Sequence, residues 1–313
     1  MHIQPHCWTE HGQLDVVMLC PPSNLDVPDQ QTAQDVQWTE PVQQKKAKKA
    51  HERLYRALEK QNVQIVNYAD YLSKEDRQLN EQLINRIFVR DLACVFGETV
   101  IPGEAGTSMR KPEYVQSHLL MKDWFKQGSF LINDNNDLKG LEYGDVHVLS
   151  KDAVLINVGI RTSLSSVEKI KDLLFKAGFS EIGIIDLPRR PDTLHLDMNC
   201  NVAAPGVFLS KSYLRFMPVM ITTQDKVKHA MLADFLGRHG FEVYWVTDVN
   251  TIPDINFLCL DPETLLISTK ANKKIFKSHP VLKKQKLIEV DVAELEKGGG
   301  GIRCMTLPFV RKS

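Results

Sequence analysis

Apolar residues along this chain fall into short runs separated by turn-forming residues. The first, at 14–19, reads Leu-Asp-Val-Val-Met-Leu and is closed by Pro21-Pro22; runs of this length bounded by turn formers predict strands. A polar loop follows, then helical periodicity over about 42–61 and a strand at 63–66. A short helix at 75–83 leads to paired strands, 87–96 and 99–101, around Gly97, and to a helix at 113–126. The order then returns three times. Strands 141–149 and 154–158 precede a helix at 164–177, and strands 193–198 and 206–209 precede one at 225–239. Strands 256–260 and 265–268 precede a short helix at 272–277, and a last apolar run at 304–310 follows four glycines, Gly298 to Gly301.

A unit of strand, turn, strand, helix and strand thus recurs about five times with a period of roughly 50–60 residues. No Ser/Gly/Pro-rich linker or shift in composition divides the chain, so one domain over 1–313 is expected. The economical architecture is α/β, a pseudo-symmetric propeller of five modules whose strand starts face a central channel. Radial repetition leaves only short sheet edges. A doubly wound parallel sheet would need right-handed crossovers between single strands, whereas these strands come in hairpin pairs.

The chain has 313 residues, 43% hydrophobic and 25% charged, with a formal net charge of zero. It therefore carries no electrostatic footprint for nucleic acid. The basic run Lys45-Lys46-Ala-Lys48-Lys49 lies on an amphipathic helix and reads as its solvated face. Six cysteines (Cys7, Cys20, Cys94, Cys200, Cys259, Cys304) are scattered without a CxxC pair, which suits a reducing cytoplasm better than a disulfide framework. The first residues form no apolar signal core, and no segment has the length of a membrane span. His2, His6, Cys7 and His11 match no standard zinc spacing, and no metal or other cofactor is expected.

Within this pattern some polar residues stand where a strand should be apolar: Asp91, then Glu142 and Asp145, then His195 and Asp197. A charge buried in a strand is costly unless paired. Several at equivalent places in a ring would converge on one axis. Residues 195 and 197 are two apart, hence on one strand face. Cys304, where the glycine run enters a strand, would join them at the mouth of a pocket, with the glycines as a mobile flap. A thiol, an imidazole and several carboxylates suit nucleophilic catalysis on a cationic, guanidino-type small molecule. Carboxylates hold a guanidinium through paired hydrogen bonds, the thiolate attacks its carbon and the imidazole moves protons.

The ordered set Phe88-Val-Arg90-Asp91, Glu142-Tyr-Gly-Asp145, Gly159-Ile-Arg161-Thr162, His195-Leu-Asp197 and Gly300-Gly-Ile-Arg303-Cys304-Met-Thr resembles the motif series of the arginine deiminase branch of the guanidino-group-modifying enzymes. That superfamily, which includes dimethylarginine hydrolases and amidinotransferases, has the five-module pentein fold. The resemblance implies Cys304 as nucleophile, His195 as general acid/base, Glu142 orienting the imidazole, and Asp91 and Asp197 gripping the guanidinium. It implies that Asn85, Arg110, Asp145 and Arg161 hold the amino-acid end of the substrate. Two departures stand out. Tyr143 replaces the usual second-position glycine, an exchange expected to narrow the pocket or shift its hydrogen bonding, and there is no room for the helical insertion of typical arginine deiminases. The expected protein is a cytoplasmic hydrolase of arginine or a close relative. A dimethylarginine hydrolase, an amidinotransferase and a catalytically silent binding module are the alternatives, and the oligomeric state stays open.

Overall fold

The computed structural model describes residues 1–131 and 139–312. Strand Gln13–Leu19 sits between an antiparallel partner, Leu307–Lys312, and a parallel one, Gln64–Asn67, reached through helix Gln44–Glu59. This unit repeats. Ala153–Val158 lies between Val146–Val148 and Glu181–Asp186, with helix Leu164–Lys176 in the crossover. Val207–Lys211 lies between Cys200–Ala204 and Glu242–Val246, and Thr264–Ser268 between Leu258–Asp261 and Lys286–Val290. The hairpin of Ala93–Phe96 and Thr99–Pro102 turns at Gly97, whose φ of 63° favours glycine, and its parallel partner shrinks to a single bridge from Val100 to Phe130. These are mixed sheets, which rules out a doubly wound parallel arrangement.

The helices cover the sheets with one apolar face. In Gln44–Glu59 the buried positions are Ala47, Ala50, Leu54 and Leu58, spaced three or four apart, and the lysines between them are exposed. The basic run is therefore a solvated face, as its pattern predicts. Among the described residues no helix is long and apolar enough to cross a membrane.

Two differences from the sequence pattern matter. The helix predicted over 225–239 begins only at Leu232, because Val227–Met231 is an edge strand pairing antiparallel with Pro218–Thr222. Cross-strand pairing there overrides local preference. More consequentially, three predicted strands start late. Val89–Leu92, Tyr143–Asp145 and Leu196–Met198 are 3₁₀ turns, and the strands follow at Ala93–Phe96, Val146–Val148 and Cys200–Ala204. A buried tight turn and a buried strand leave the same apolar signature. The turns pack against one another, Val89–Leu92 on Tyr143–Asp145 and that on Leu196–Met198. The polar residues that look misplaced in strands lie in these turns, as Asp91, Asp145 and Asp197 do, or directly before them, as Glu142 and His195 do.

Candidate active site

A cavity with about 60 Å³ of room for the centres of water molecules opens where these turns meet the glycine run. Asn85, Asp91, Arg110, Glu142, Arg161, His195 and Cys304 line it, together with Phe88, Gln37 and Gly298 to Gly300. Asp145 and Asp197, both fully buried, do not reach the lining.

His195 is held between two carboxylates, its Nε2 2.9 Å from Glu142 Oε2 and its Nδ1 3.9 Å from Asp91 Oδ1. Burial opposes charge on the ring, but Asp91, the Glu142 hydrogen bond and Asp145 outweigh it and raise the imidazole to about 10. His195 therefore rests as imidazolium. Burial likewise opposes ionisation of Asp91 and Glu142, and His195 with Arg110 holds both below the usual carboxylate range. The close approach needs Gly144: a β-carbon there would lie 2.7 Å from His195 Nδ1 and 2.9 Å from Asp91 Oδ1. Its N–H donates to Asp91 Oδ1 at 2.8 Å.

Arg110 fills the other side of the carboxylates. Its Nη1 donates to Asp91 Oδ2 at 2.6 Å and lies 3.5 Å from Glu142 Oε2, while its Nε donates to Glu113 at 3.1 Å. Expected at the amino-acid end of a substrate, it thus sits on a carboxylate expected to grip the guanidinium. Lys111, the other cation of that segment, is exposed and faces Glu104. Asp91, Glu142 and His195 each offer a ligand atom within 4.8 Å of the others, close enough for a metal ion. The Arg110 cation and the direct His195–Glu142 bond already engage these atoms, so a metal ion would have to displace both.

Cys304 is 6% exposed, its Sγ 3.5 Å from Asp197 Oδ2. Burial, Asp197 and Asp91 push its thiol well above the ordinary value, so it rests protonated. Burial raises the thiols of Cys7 and Cys259 to about 12 as well. Acidity does not single out Cys304; its place on the cavity wall does. All six cysteines are unpaired.

Asp197 is fixed from behind by Arg303, whose Nη1 donates to Oδ2 at 2.8 Å. The same guanidinium, 1% exposed, donates through Nη2 to Glu10 Oε1 at 2.8 Å and to the Val146 carbonyl at 2.7 Å. Asp145 anchors the His195 turn: its Oδ1 accepts from Leu196 N at 3.0 Å and Asn157 Nδ2 at 2.7 Å. Tyr143 points into the core against Phe96, not into the pocket, so its bulk does not narrow the cavity.

The remaining predicted residues meet a strap that sequence patterning leaves as plain loop. Arg161 Nη2 donates to Gln37 Oε1 at 2.7 Å and its Nη1 to Thr107 at 3.2 Å, and Trp38 Nε1 donates to Asn85 Oδ1 at 2.8 Å. Gln37 takes a φ of 64°, rare for a residue with a β-carbon. Thr39 ties the strap to the glycine run through Lys297 O, at 2.9 Å from its N–H and 2.8 Å from its hydroxyl. Only Trp38, an isolated aromatic in a polar stretch, hinted at this contact. Glu10 carries no motif signal at all.

In fold the chain is similar to dimethylarginine dimethylaminohydrolase solved as an adduct with 4-chloro-2-hydroxymethylpyridine (TM-score 0.69, 16% identity, 95% of this chain and 100% of that one). It is also similar to SxtG, an amidinotransferase from Microseira wollei in the saxitoxin biosynthetic pathway (TM-score 0.67, 16% identity, 99% and 98% covered). The fold is that of these pentein-fold neighbours, mixed α/β. Residues 30–215 match the family model for arginine deiminase, and the chain belongs to that family. Among relatives, the uncharacterized protein YkgA of Bacillus subtilis is 26% identical over 97% of this chain and 95% of its own length. The arginine deiminase of Listeria welshimeri is 25% identical over 74% of this chain, and that of Staphylococcus epidermidis 24% over 82%. The matches span 63% and 69% of those two enzymes.

Proposed function

We propose that this protein is a cysteine-dependent hydrolase acting on the guanidino carbon of arginine or a close relative. The observation that carries the reading is a guanidinium already seated among the site carboxylates: Arg110 on Asp91 and Glu142, beside His195 and on the same cavity as Cys304. A substrate guanidinium would take over from Arg110 the hydrogen bonds that these carboxylates already direct at one. The membership in the arginine deiminase family and the motif order support the same chemistry.

In this scheme the substrate's positive charge offsets Asp91 and Asp197, and Cys304 gives its proton to solvent. The thiolate adds to the guanidino carbon, forming a C–S bond, and the His195 imidazolium protonates the departing nitrogen, which leaves as ammonia or an amine. The covalent S-alkylthiouronium remains. Neutral His195 then takes a proton from water, the hydroxide adds to the same carbon, and the C–S bond breaks to return the thiolate while the added hydroxyl gives its proton to solvent, leaving a ureido product. Glu142 keeps the imidazole aimed throughout, and Arg161 with Asn85 receives the amino-acid end. The modules form a five-bladed pentein propeller in a single domain around this site, and the enzyme works in the cytoplasm without a metal or organic cofactor.

The likeness in fold to a dimethylarginine dimethylaminohydrolase supports a methylated-arginine substrate as the second reading. Mass spectrometry of products from arginine, Nω-methylated arginines and agmatine separates the two. Ornithine in place of citrulline, when an amine acceptor accompanies arginine, marks an amidinotransferase. Full turnover by Cys304→Ser on any of these compounds refutes the cysteine mechanism.

A further inference from the structure

Three turns bring polar residues to the cavity, and the last module brings the thiol; the fourth module contributes Asn256. This side chain, 1% exposed, follows turn Ile252–Asp254 and precedes strand Leu258–Asp261. Its Oδ1 accepts the backbone N–H of Cys304 at 3.1 Å, and its Nδ2 lies 3.0 Å from the carbonyl oxygen of Asp197 and 3.1 Å from Cys304 Sγ. The orientation of the amide is fixed by its partners. A backbone N–H can only donate and a carbonyl can only accept, so the NH₂ group must face Asp197 and the sulfur. Its two hydrogens are thereby both used, one on each. The glycine run completes the fit: a β-carbon at Gly301 would lie 2.7 Å from Asn256 Cβ and from its carbonyl oxygen.

We propose that Asn256 is a further catalytic residue, the hydrogen-bond donor that stabilises the Cys304 thiolate while holding its backbone in place. This deepens the cysteine-hydrolase reading and rests on it. The other side chain recorded in hydrogen-bonding range of the sulfur among the described residues is acidic, Asp197 at 3.5 Å. The Arg303 cation reaches Asp197 and Glu10 instead. A neutral donor stabilises an anionic sulfur without competing with a cationic substrate for the carboxylates, which a lysine or arginine at the same place would do.

The test is the pH profile of Cys304 alkylation by iodoacetamide, followed by peptide mass mapping, in the wild type, Asn256→Asp and Asn256→Ala. Asn256→Asp keeps an oxygen for the Cys304 N–H but replaces the donor with a carboxylate, separating the two roles. Loss of a hydrogen bond to a charged group should slow alkylation at pH 8 roughly tenfold or more and move the profile to higher pH in both variants. Asn256→Ser, which keeps a hydroxyl donor, should lie between wild type and alanine. It serves as the second measurement if a stronger variant fails to fold by circular dichroism. A wild-type profile in Asn256→Asp or in Asn256→Ser together with Asn256→Ala overturns the proposal. Should Cys304→Ser keep full turnover while the alkylation profiles shift as described, the hydrolase mechanism fails and the donor assignment stands.

Discussion

Arg303→Met should strongly destabilise the protein, and Glu10→Gln should partly repair it. Arg303 is buried against two carboxylates at 2.8 Å each, Asp197 and Glu10. Among the described residues the other cationic neighbours of Glu10 are more distant: Arg90 at 3.8 Å, His147 at 3.9 Å when protonated, and Arg311, which also lowers its carboxyl. Removing one member of such a buried group leaves charge uncompensated, at a cost of about 3–5 kcal/mol. With an unfolding entropy near 2.1 cal/mol/K per residue, a chain of this length should melt about 5–8 °C lower. The glutamine keeps a hydrogen-bonding oxygen without the charge, so the double variant should recover about 1–3 kcal/mol. Urea titration and thermal melting of the four proteins in the cycle measure both effects. Acid supplies a further check. Burial opposes the Glu10 carboxylate, but Arg303 and Arg90 hold it well below the ordinary range. Its contribution is present above the unfolded value near 4.3 and is lost as pH falls below it, so the gap between wild type and Arg303→Met should narrow in acid. A loss under about 1 kcal/mol for Arg303→Met, or further loss on adding Glu10→Gln, refutes the reasoning.

His195→Gln should slow formation and breakdown of the covalent adduct, each by about 10²–10⁴, with intact-mass spectra revealing any trapped species; wild-type turnover contradicts its role. Because His195 is raised to about 10, imidazole NMR of the resting protein should find it protonated through neutral pH. The stability this adds is complete below the unfolded value of about 6.5 and fades as pH climbs through about 10. The melting difference between wild type and His195→Gln should shrink over that window. If Arg161 receives a carboxylate, agmatine should be at least about tenfold poorer than arginine in kcat/KM, with Arg161→Ala erasing most of that preference; equal use of the two by the wild type ends that assignment.

The candidate site was legible wherever chemistry-bearing residues interrupt an apolar run, as at Asp91, Glu142 and His195, or follow a glycine run, as at Cys304. What the pattern misjudged was the backbone beneath them. His195 and Asp197 were expected side by side on one strand face, yet the 3₁₀ turn sends His195 to Glu142 and Asp197 to Arg303 and Cys304. Periodicity reports burial, and burial is equal in both geometries. Asn256 obeyed the same rule as its counterparts, a polar residue heading an apolar run, and was legible in principle. Glu10 and Gln37 were not: each acts through a partner more than a hundred residues away, and nothing local distinguishes them from solvated neighbours.

The pairing of Gln13–Leu19 with Leu307–Lys312 also has a consequence for how the protein is made. Glu10 and Arg303 are 293 residues apart in sequence, so at ordinary elongation rates the first waits roughly 15–60 s on the ribosome for the second. During that interval the opening strand has its parallel neighbour but an unsatisfied edge, and the buried glutamate has no arginine. Cys304 follows Arg303 directly, so it emerges as that interval closes. The cavity wall that Cys304 completes is therefore assembled only after its other lining residues have been made, and until then the unpaired strand edge is open to pairing with other chains.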